Sequence, residues 1–487
     1  MSTVGNFYVT TAIPYVNAEP HLGHALELVQ ADVLARHRRL RGQPTRFLTG
    51  TDDNALKNVT AAAAAGVDVA AFVATNADRF AQLKALLGLS FDDFIRTSSD
   101  HRHATGVERL WRQSAARGDF YRRRYAGRYC LGCEQFYDPA ELPDGLCPEH
   151  GTAPQAVTET NWFFSLSRYG EQVLRALESG RVRVEPVTKR NEVLSVVRAG
   201  LRDISVSRPA SRAPGWGIGV PGDPDQVVYV WWDALANYLT ALGYGTDDDA
   251  YRAWWSTAAE RVHVIGKGIV RFHAVYWLAL LISLDLPLPT AIFVHEYLTV
   301  AGTKLSKSTG TAVSPRALVE RYGSDAVRWW LLRDVARVGD TDFTEQRLLT
   351  RYHQDLANGL GNLVNRTVSL VHRYRSGALV EPDAPAGDCA RLASLGTALP
   401  ARIDDALAAF DFRSATDAIW TVVSAGNRLV EAERPWALAK LRLAGDAAAG
   451  ERLDALLSTL VGCCREVARE LAPFLPAGAA RLAAQLG

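Results

Sequence analysis

Apolar positions along the chain fall into two recurring units. Residues 7 to 13, FYVTTAI, are β-branched and aromatic with little alternation, the pattern of a strand buried on both faces. Leu26, Val29, Val33 and Leu40 then recur at helical spacing up to Gly42, a residue suited to ending a helix. TRFLTGTD at 45 to 52 restores the strand pattern, so this segment reads as strand, helix and strand. The same order returns later. RVHVIG at 261 to 266 predicts a strand, IVRFHAVYWLALLISL at 269 to 284 a helix, and TAIFVHEYLTV at 290 to 300 another strand.

Two half-units of this kind predict one α/β domain with a doubly wound parallel sheet, split by an insertion. The intervening segment holds NWFFSL, the Gly/Pro-rich RAPGWGIGVPGDPDQ and a strand-like VVYVWW. From Arg351 onward the periodicity is helical, broken by SGALVEPDAPAGD at 376 to 388, which predicts a C-terminal helical bundle. That bundle carries as many acidic as basic side chains.

Composition adds limits. A chain of 487 residues, 48% hydrophobic and 22% charged, is too long for one core. The formal net charge of +1 gives no global attraction for nucleic acid, so any RNA contact must rest on local patches or shape. The longest apolar run, AVYWLALLISL at 274 to 284, is too short for a membrane span, and no basic-then-apolar leader opens the chain. The expectation is a cytoplasmic protein with no membrane partner. Six cysteines are too few for a disulfide scaffold, and three of them fall between 130 and 147.

Three segments carry chemistry. HLGH places His21, Gly23 and His24 where the first strand hands over to a helix N-terminus, a site suited to an anion. Glycine there lets backbone pass close to a ligand. A metal would need a third ligand, for which only Glu27 offers itself; a loop with two polar histidines is the plainer reading. GTKLSKSTGT at 302 to 311 sets Lys304, Ser306, Lys307 and Ser308 in a small-residue loop after the last strand, suited to phosphate or simply to solvent. It lacks P-loop spacing, and no GxGxxG follows the first strand. In a doubly wound sheet both loops come to the carboxyl ends of the strands. CLGCEQFYDPAELPDGLCPEH supplies Cys130, Cys133, Cys147 and His150 as two knuckles of a closed tetrahedral site, which suits structural zinc.

HLGH with KLSKS resembles the signature pair of class I aminoacyl-tRNA synthetases, HIGH and KMSKS. The ordered series TTAIPYVNAEPHLGHALE, FLTGTD, the cysteine cluster, ETNWFF, VPGDPDQVVYVWWDALANY, GKGIVRFH and VHEYLTVAGTKLSKSTG is similar to the methionyl-tRNA synthetase family over nearly the whole chain. The resemblance implies an α/β, Rossmann-like parallel sheet split by a zinc-bearing connective insertion, followed by a helical anticodon-binding bundle. The implied divisions are 1–115 and 201–295 for the two catalytic halves, 116–200 for the insertion, 296–350 for the KLSKS loop and stem-contact region, and 351–487 for the bundle.

It further implies that ATP, with Mg2+, and methionine condense to methionyl adenylate and pyrophosphate, and that methionine passes to the 3′ end of tRNA(Met). His21 and His24 would hold the ATP phosphates, and Lys304 and Lys307 would close over pyrophosphate. Gly23, Gly266, His295, Ser306 and Ser308 complete the implied ATP site. The implied methionine pocket comprises Ala12, Ile13, Tyr15, Asp52 for the ammonium group, Trp231, Ala234, Tyr238, Ile269 and His273. Core packing is the competing reading of Trp231 and Tyr238. Asn362, Arg366 and Trp436 would read the anticodon, residue types that suit unstacked bases.

The chain departs from the family pattern at Asn54 and Ala55, where His-Gly is usual, and at Gly268, where Asp is usual. Loss of an acceptor for a ribose hydroxyl at 268 would weaken adenylate binding by ~1 kcal/mol or more. Leu305 for Met conserves volume. These departures suggest a divergent second member of the family, less sensitive to inhibitors of the methionine and adenylate pockets. The leucine, isoleucine and valine relatives resemble longer chains with an editing insertion. Two further functions compete with tRNA charging: a ligase that uses an aminoacyl adenylate on a small molecule, and a non-catalytic RNA-binding relative. The end at Gly487, soon after the bundle, leads to the expectation of a monomer with no obligatory protein partner.

Overall fold

The computed structural model describes residues 5–148, 151–212, 215–304, 313–380 and 385–487. They form two compact units, Met1–Ala85 with Leu89–Tyr297, and Leu86–Gly88 with Leu298–Gly487.

The first unit is built on a six-stranded sheet whose order is Asp93–Arg96, Thr45–Thr51, Phe7–Thr11, Glu260–Gly266, Ala291–His295, Arg183–Glu185. Every neighbouring pair is parallel. The chain runs outward from Phe7–Thr11 in one direction and from Glu260–Gly266 to Ala291–His295 in the other, with the earlier Arg183–Glu185 added at that edge, so the topological switch point lies between Phe7–Thr11 and Glu260–Gly266. Phe7–Thr11 and Ala291–His295 are buried throughout, as their unalternating sequences require. The helix Leu22–Leu40 follows the first strand.

Three segments differ from the sequence expectation. VVYVWW is not one strand: Asp223–Val228 is extended, and Val230–Thr240 is a helix that carries both Trp231 and Trp232. A short apolar run has no period, and this helix is buried on nearly all sides, so no amphipathic signal marks it. The expected helix at 269 to 284 is a tight turn Lys267–Ile269, a widened turn Phe272–Trp277 and an α-helix Leu278–Ser283. The widening has a local cause, since His273 Nδ1 lies 3.1 Å from Ile269 O and competes for a carbonyl four residues back. The expected strand at 290 to 300 is two, Ala291–His295 in the parallel sheet and Leu298–Val300 in the second unit.

The insertion is a four-stranded antiparallel sheet of order Gln135–Tyr137, Phe120–Cys130, Gln155–Phe164, Ile204–Ser205. The long central ladder runs from Phe120↔Phe164 to Tyr129↔Gln155. Arg183–Glu185, inside the span 116–200 expected for the insertion, belongs to the parallel sheet, and Ile204–Ser205, expected beyond it, belongs to the insertion.

The second unit is mainly helical. Its bundle includes Asn362–Arg375, Gly387–Ala408, Phe412–Glu433, Pro435–Leu443, Ala447–Leu471 and Pro476–Leu486. Gly359 sits against the Trp420 indole, where an added Cβ would come within 1.9 Å of the ring. Among the described residues no single helix is long and apolar enough to cross a membrane.

Candidate active site

His21 is the N-cap of Leu22–Leu40, and the two histidines form a reciprocal cap. Gly23 N–H donates to His21 Nδ1 at 3.1 Å, and His21 N–H donates to His24 Nδ1 at 3.1 Å. Accepting at Nδ1 puts the proton of each neutral ring on Nε2. The rings stack with centroids 3.8 Å apart. Burial, reinforced by His21 and His295, holds His24 well below the usual histidine range, so its imidazole is neutral at pH 7. The helix start thus presents Nε2–H donors of the kind an anion accepts. The glycine serves this cap as well: a Cβ at Gly23 would come within 2.9 Å of His21 Cε1.

Glu27 is not a partner of these histidines. Its carboxylate lies 2.9 Å from His295 Nε2, and His295 Nδ1 lies 2.9 Å from Glu296 O. The metal reading of HLGH therefore loses its only proposed third ligand. Gly266 and His295 pair at the carboxyl ends of adjacent strands, where a ligand of a doubly wound sheet binds. Gly268 is exposed in the turn after Gly266, and the nearby Glu296 is tied to Lys267 at 3.2 Å.

Across the switch point, Ala12 and Ile13 follow the first strand, and Tyr15 bridges to Asp52. Asp52 is 1% exposed, and its Oδ1 has no hydrogen-bond partner. Burial first, then the charges of Asp233, Glu134 and Asp53, push its carboxyl well above the ordinary range. Glu134 is itself buried, accepts from Lys57 N–H at 2.7 Å, and is pushed up to about 7 by desolvation. A buried carboxylate with one unpaired oxygen among other acids is a site that asks for a cation.

Tyr15 links this carboxyl to an aromatic wall. Trp231 stacks on Phe272 with centroids 3.7 Å apart and meets Tyr15 edge-on at 6.3 Å. Its indole N–H donates to Cys133 O at 3.3 Å. Ala234 and Tyr238 follow on the same helix. Behind them lies a neutral polar chain. His273 Nδ1 donates to Ile269 O, which leaves Nε2 to accept from Tyr238 Oη at 2.7 Å. Trp277 Nε1 donates to His263 Nε2 at 3.2 Å, and His263 Nδ1 meets Thr10 Oγ1 at 2.7 Å. Burial pulls His273 down to about 4 and His263 well below its usual range. Tyr238 is 1% exposed, while Trp231 is only partly buried.

Sequence reasoning missed Phe272, Asp233, His103, His263 and Trp277. Asp233 is buried and accepts from Asn54 Nδ2 at 2.7 Å, with His103 Nε2 on its other oxygen. Asn54, one of the departures, is thus a satisfied donor. Ala55 is buried at the start of Leu56–Ala65 with φ −63°, a conformation open to any L residue, so it carries no backbone strain.

The ligand atoms of Cys130, Cys133 and Cys147 lie within 4.8 Å of one another, and none of these cysteines is in a disulfide. Tyr137 OH donates to Cys133 Sγ at 3.2 Å, and burial raises the Cys133 thiol. Three converging sulfurs fit the donor set of structural zinc. His150 lies outside the described residues, as do Ser306, Lys307 and Ser308, and of Lys304 only the backbone, in the strand Thr303–Lys304, is described.

In the second unit Asn362 Nδ2 donates to Asn427 Oδ1 at 3.1 Å and Arg366 to Glu431 at 2.6 Å, both on Phe412–Glu433. Trp436 is 42% exposed at the start of Pro435–Leu443. These residues come from adjoining helices, and the first two already hold partners within the bundle, of the exposed kind that a ligand displaces at little cost.

The family model described as tRNA synthetases class I (M) matches this chain over residues 7–156 and 132–368. The fold is that of a class I aminoacyl-tRNA synthetase. The structure of Mycobacterium tuberculosis methionyl-tRNA synthetase in complex with methionyl-adenylate is similar, with TM-score 0.93 and 40% identity over 98% of this chain and 93% of that one. A methionine–tRNA ligase of Mycobacterium bovis is 41% identical over 99% of this chain and 92% of its own length. One of Caldanaerobacter subterraneus is 38% identical over 99% and 74%. The chain belongs to the methionyl-tRNA synthetase family.

Proposed function

We propose that this chain is a methionine–tRNA ligase: it activates methionine with ATP and transfers it to the 3′ end of tRNA(Met). The observation that carries the reading is the buried Asp52 carboxyl, one oxygen of which has no hydrogen-bond partner, joined through Tyr15 to the Trp231–Phe272 stack. An α-amino acid brings the ammonium that Asp52 lacks, and a thioether packs well on aromatic rings.

In the first step a methionine carboxylate oxygen attacks the α-phosphorus of ATP. The P–O bond to the β-phosphate breaks, and pyrophosphate leaves with its electron pair. No protein nucleophile is required; orientation and charge neutralisation suffice. His21 and His24 donate from Nε2 to phosphate oxygens, with Gly23 backbone committed to the cap. Gly266 and His295 border the nucleotide, and Mg2+ accompanies the ATP phosphates. Lys304 and Lys307, with Ser306 and Ser308, take the leaving pyrophosphate. In the second step the terminal ribose hydroxyl attacks the adenylate carbonyl, the acyl C–O bond to the phosphate breaks, and AMP leaves with that electron pair and takes up the hydroxyl proton.

Cys130, Cys133 and Cys147, with His150, would hold zinc, which supplies a rigid cross-link and no reacting group. Asn362 and Arg366 exchange their bundle contacts for anticodon bases, and Trp436 offers its exposed indole to one. The working unit is a single chain, and it works in the cytoplasm, where tRNA and ATP are met.

The test is ATP–pyrophosphate exchange with each amino acid in turn, followed by charging of tRNA. Exchange that depends on methionine and leads to charging supports the reading. No exchange with methionine overturns it, and exchange without charging favours a small-molecule ligase.

A further inference from the structure

The loop 52–55 carries the proposed ammonium anchor, and the helix Val230–Thr240 carries the proposed thioether wall. On its own side the loop is held by Asp53 N–H to Thr97 Oγ1 at 2.8 Å, and by Asn58 Nδ2 to the carbonyls of Asp52 and Asp53 at 2.9 Å each. Among the described side chains of the loop, Asn54 is the one that hydrogen-bonds to the helix, through Nδ2 to Asp233 Oδ2 at 2.7 Å. Asp233 is fully buried two residues after Trp231 and immediately before Ala234. Its other oxygen is committed to His103 Nε2, and His103 is fixed in turn by Thr240 Oγ1 at 2.8 Å.

We infer that Asn54 is a positioning residue that sets the separation between Asp52 and the wall of Trp231, Ala234 and Tyr238, and with it the length of amino-acid side chain the pocket accepts. The inference rests on the methionine reading above. An amide suits the task for an electrostatic reason. A lysine or arginine at 54 would satisfy Asp233 but would also neutralise Asp52 and compete with the ligand's ammonium. A neutral donor saturates Asp233 and leaves the field at Asp52 undiminished. Removing the donor orphans Asp233 Oδ2 in a buried site, and the loop and helix part or admit water to satisfy it.

The experiment titrates the full-length protein calorimetrically with methionine and with S-methylcysteine, the thioether one methylene shorter. The proteins are the wild type, Asn54→Leu, which keeps volume and loses the donor, and Asn54→His, which keeps an N–H donor. Asn54→Ala carries the same test if the leucine variant does not fold. KM for ATP in exchange and the thermal midpoint are measured alongside. Asn54→Leu should weaken methionine about tenfold, narrow the preference for methionine over S-methylcysteine, and leave KM for ATP within roughly twofold. Asn54→His should restore most of the affinity and the preference. Unchanged methionine binding in Asn54→Leu, no rescue by Asn54→His, or a parallel rise in KM for ATP would overturn the inference while the methionine reading stands. A wild type that does not bind methionine would overturn both.

Discussion

Asp52→Asn changes one charge and almost no volume, and its effects on binding and stability should have opposite signs. In the free protein the Asp52 carboxyl is 1% exposed, one oxygen has no partner, and burial with Asp233, Glu134 and Asp53 pushes its ionisation up. At any pH above that raised value the folded state bears the cost of an ionised buried group, whereas the unfolded chain does not. The neutral amide removes that cost, so the variant should melt higher than the wild type. Its advantage should grow as pH rises through the raised value and fade towards the ordinary carboxylate value. Binding runs the other way, because the methionine ammonium would lose its counter-charge. Truncating one member of a buried charge pair costs about 2–5 kcal/mol, roughly 30- to 5000-fold in affinity. Calorimetric titration with methionine and a melting series from pH 5 to 9 read both quantities. A variant that binds methionine within threefold of the wild type, or that is less stable at high pH, refutes the assignment of Asp52.

Other expectations concern neighbouring groups. Burial holds His273 at about 4, against an ordinary value of 6.5, so the unfolded chain takes up the proton first as pH falls. Stability present above pH 6.5 should therefore drop between 6.5 and 4, by about 3 kcal/mol for this group, and His273→Gln should flatten the decline in a calorimetric pH series. Phe272→Leu removes the ring under Trp231 and should raise the methionine Kd roughly 2- to 12-fold, with KM for ATP unchanged. Cys133→Ala should abolish zinc retention, measured by elemental analysis after dialysis, if the knuckle holds the metal.

How much of this was legible in the sequence depended on whether the signal was local. HLGH could be placed at a helix start because strand, motif and helix follow within a few residues, and the knuckle spacing of Cys130 and Cys133 is equally local. What the motif does could not be read in full, since the His21–His24 cap commits both Nδ1 atoms and only geometry reveals it. Trp231 and Tyr238 were named as pocket residues, yet VVYVWW concealed that they share a helix, because an unbroken apolar run has no period. Asp233, Phe272 and the Glu27–His295 pair had no signal at all. Their partners lie far along the chain, 179 positions away for Asn54 and Asp233 and 268 for Glu27 and His295, and hydrophobic pattern reports a buried face without naming what covers it. The sequence marks Asn54 and Ala55 only as departures from the family pattern, whereas in the fold one is a satisfied donor and the other an unstrained buried residue.

The central claim is that one chain both makes and spends the methionyl adenylate. Its most direct test is a single-turnover experiment in which purified protein, ATP, labelled methionine and tRNA(Met) are mixed, and the label is followed first into methionyl adenylate and then into tRNA. The expected result is label on the 3′ end of tRNA(Met), with adenylate formed before it and consumed as it appears. Adenylate that accumulates without charging tRNA, or charging with an amino acid other than methionine, would contradict it.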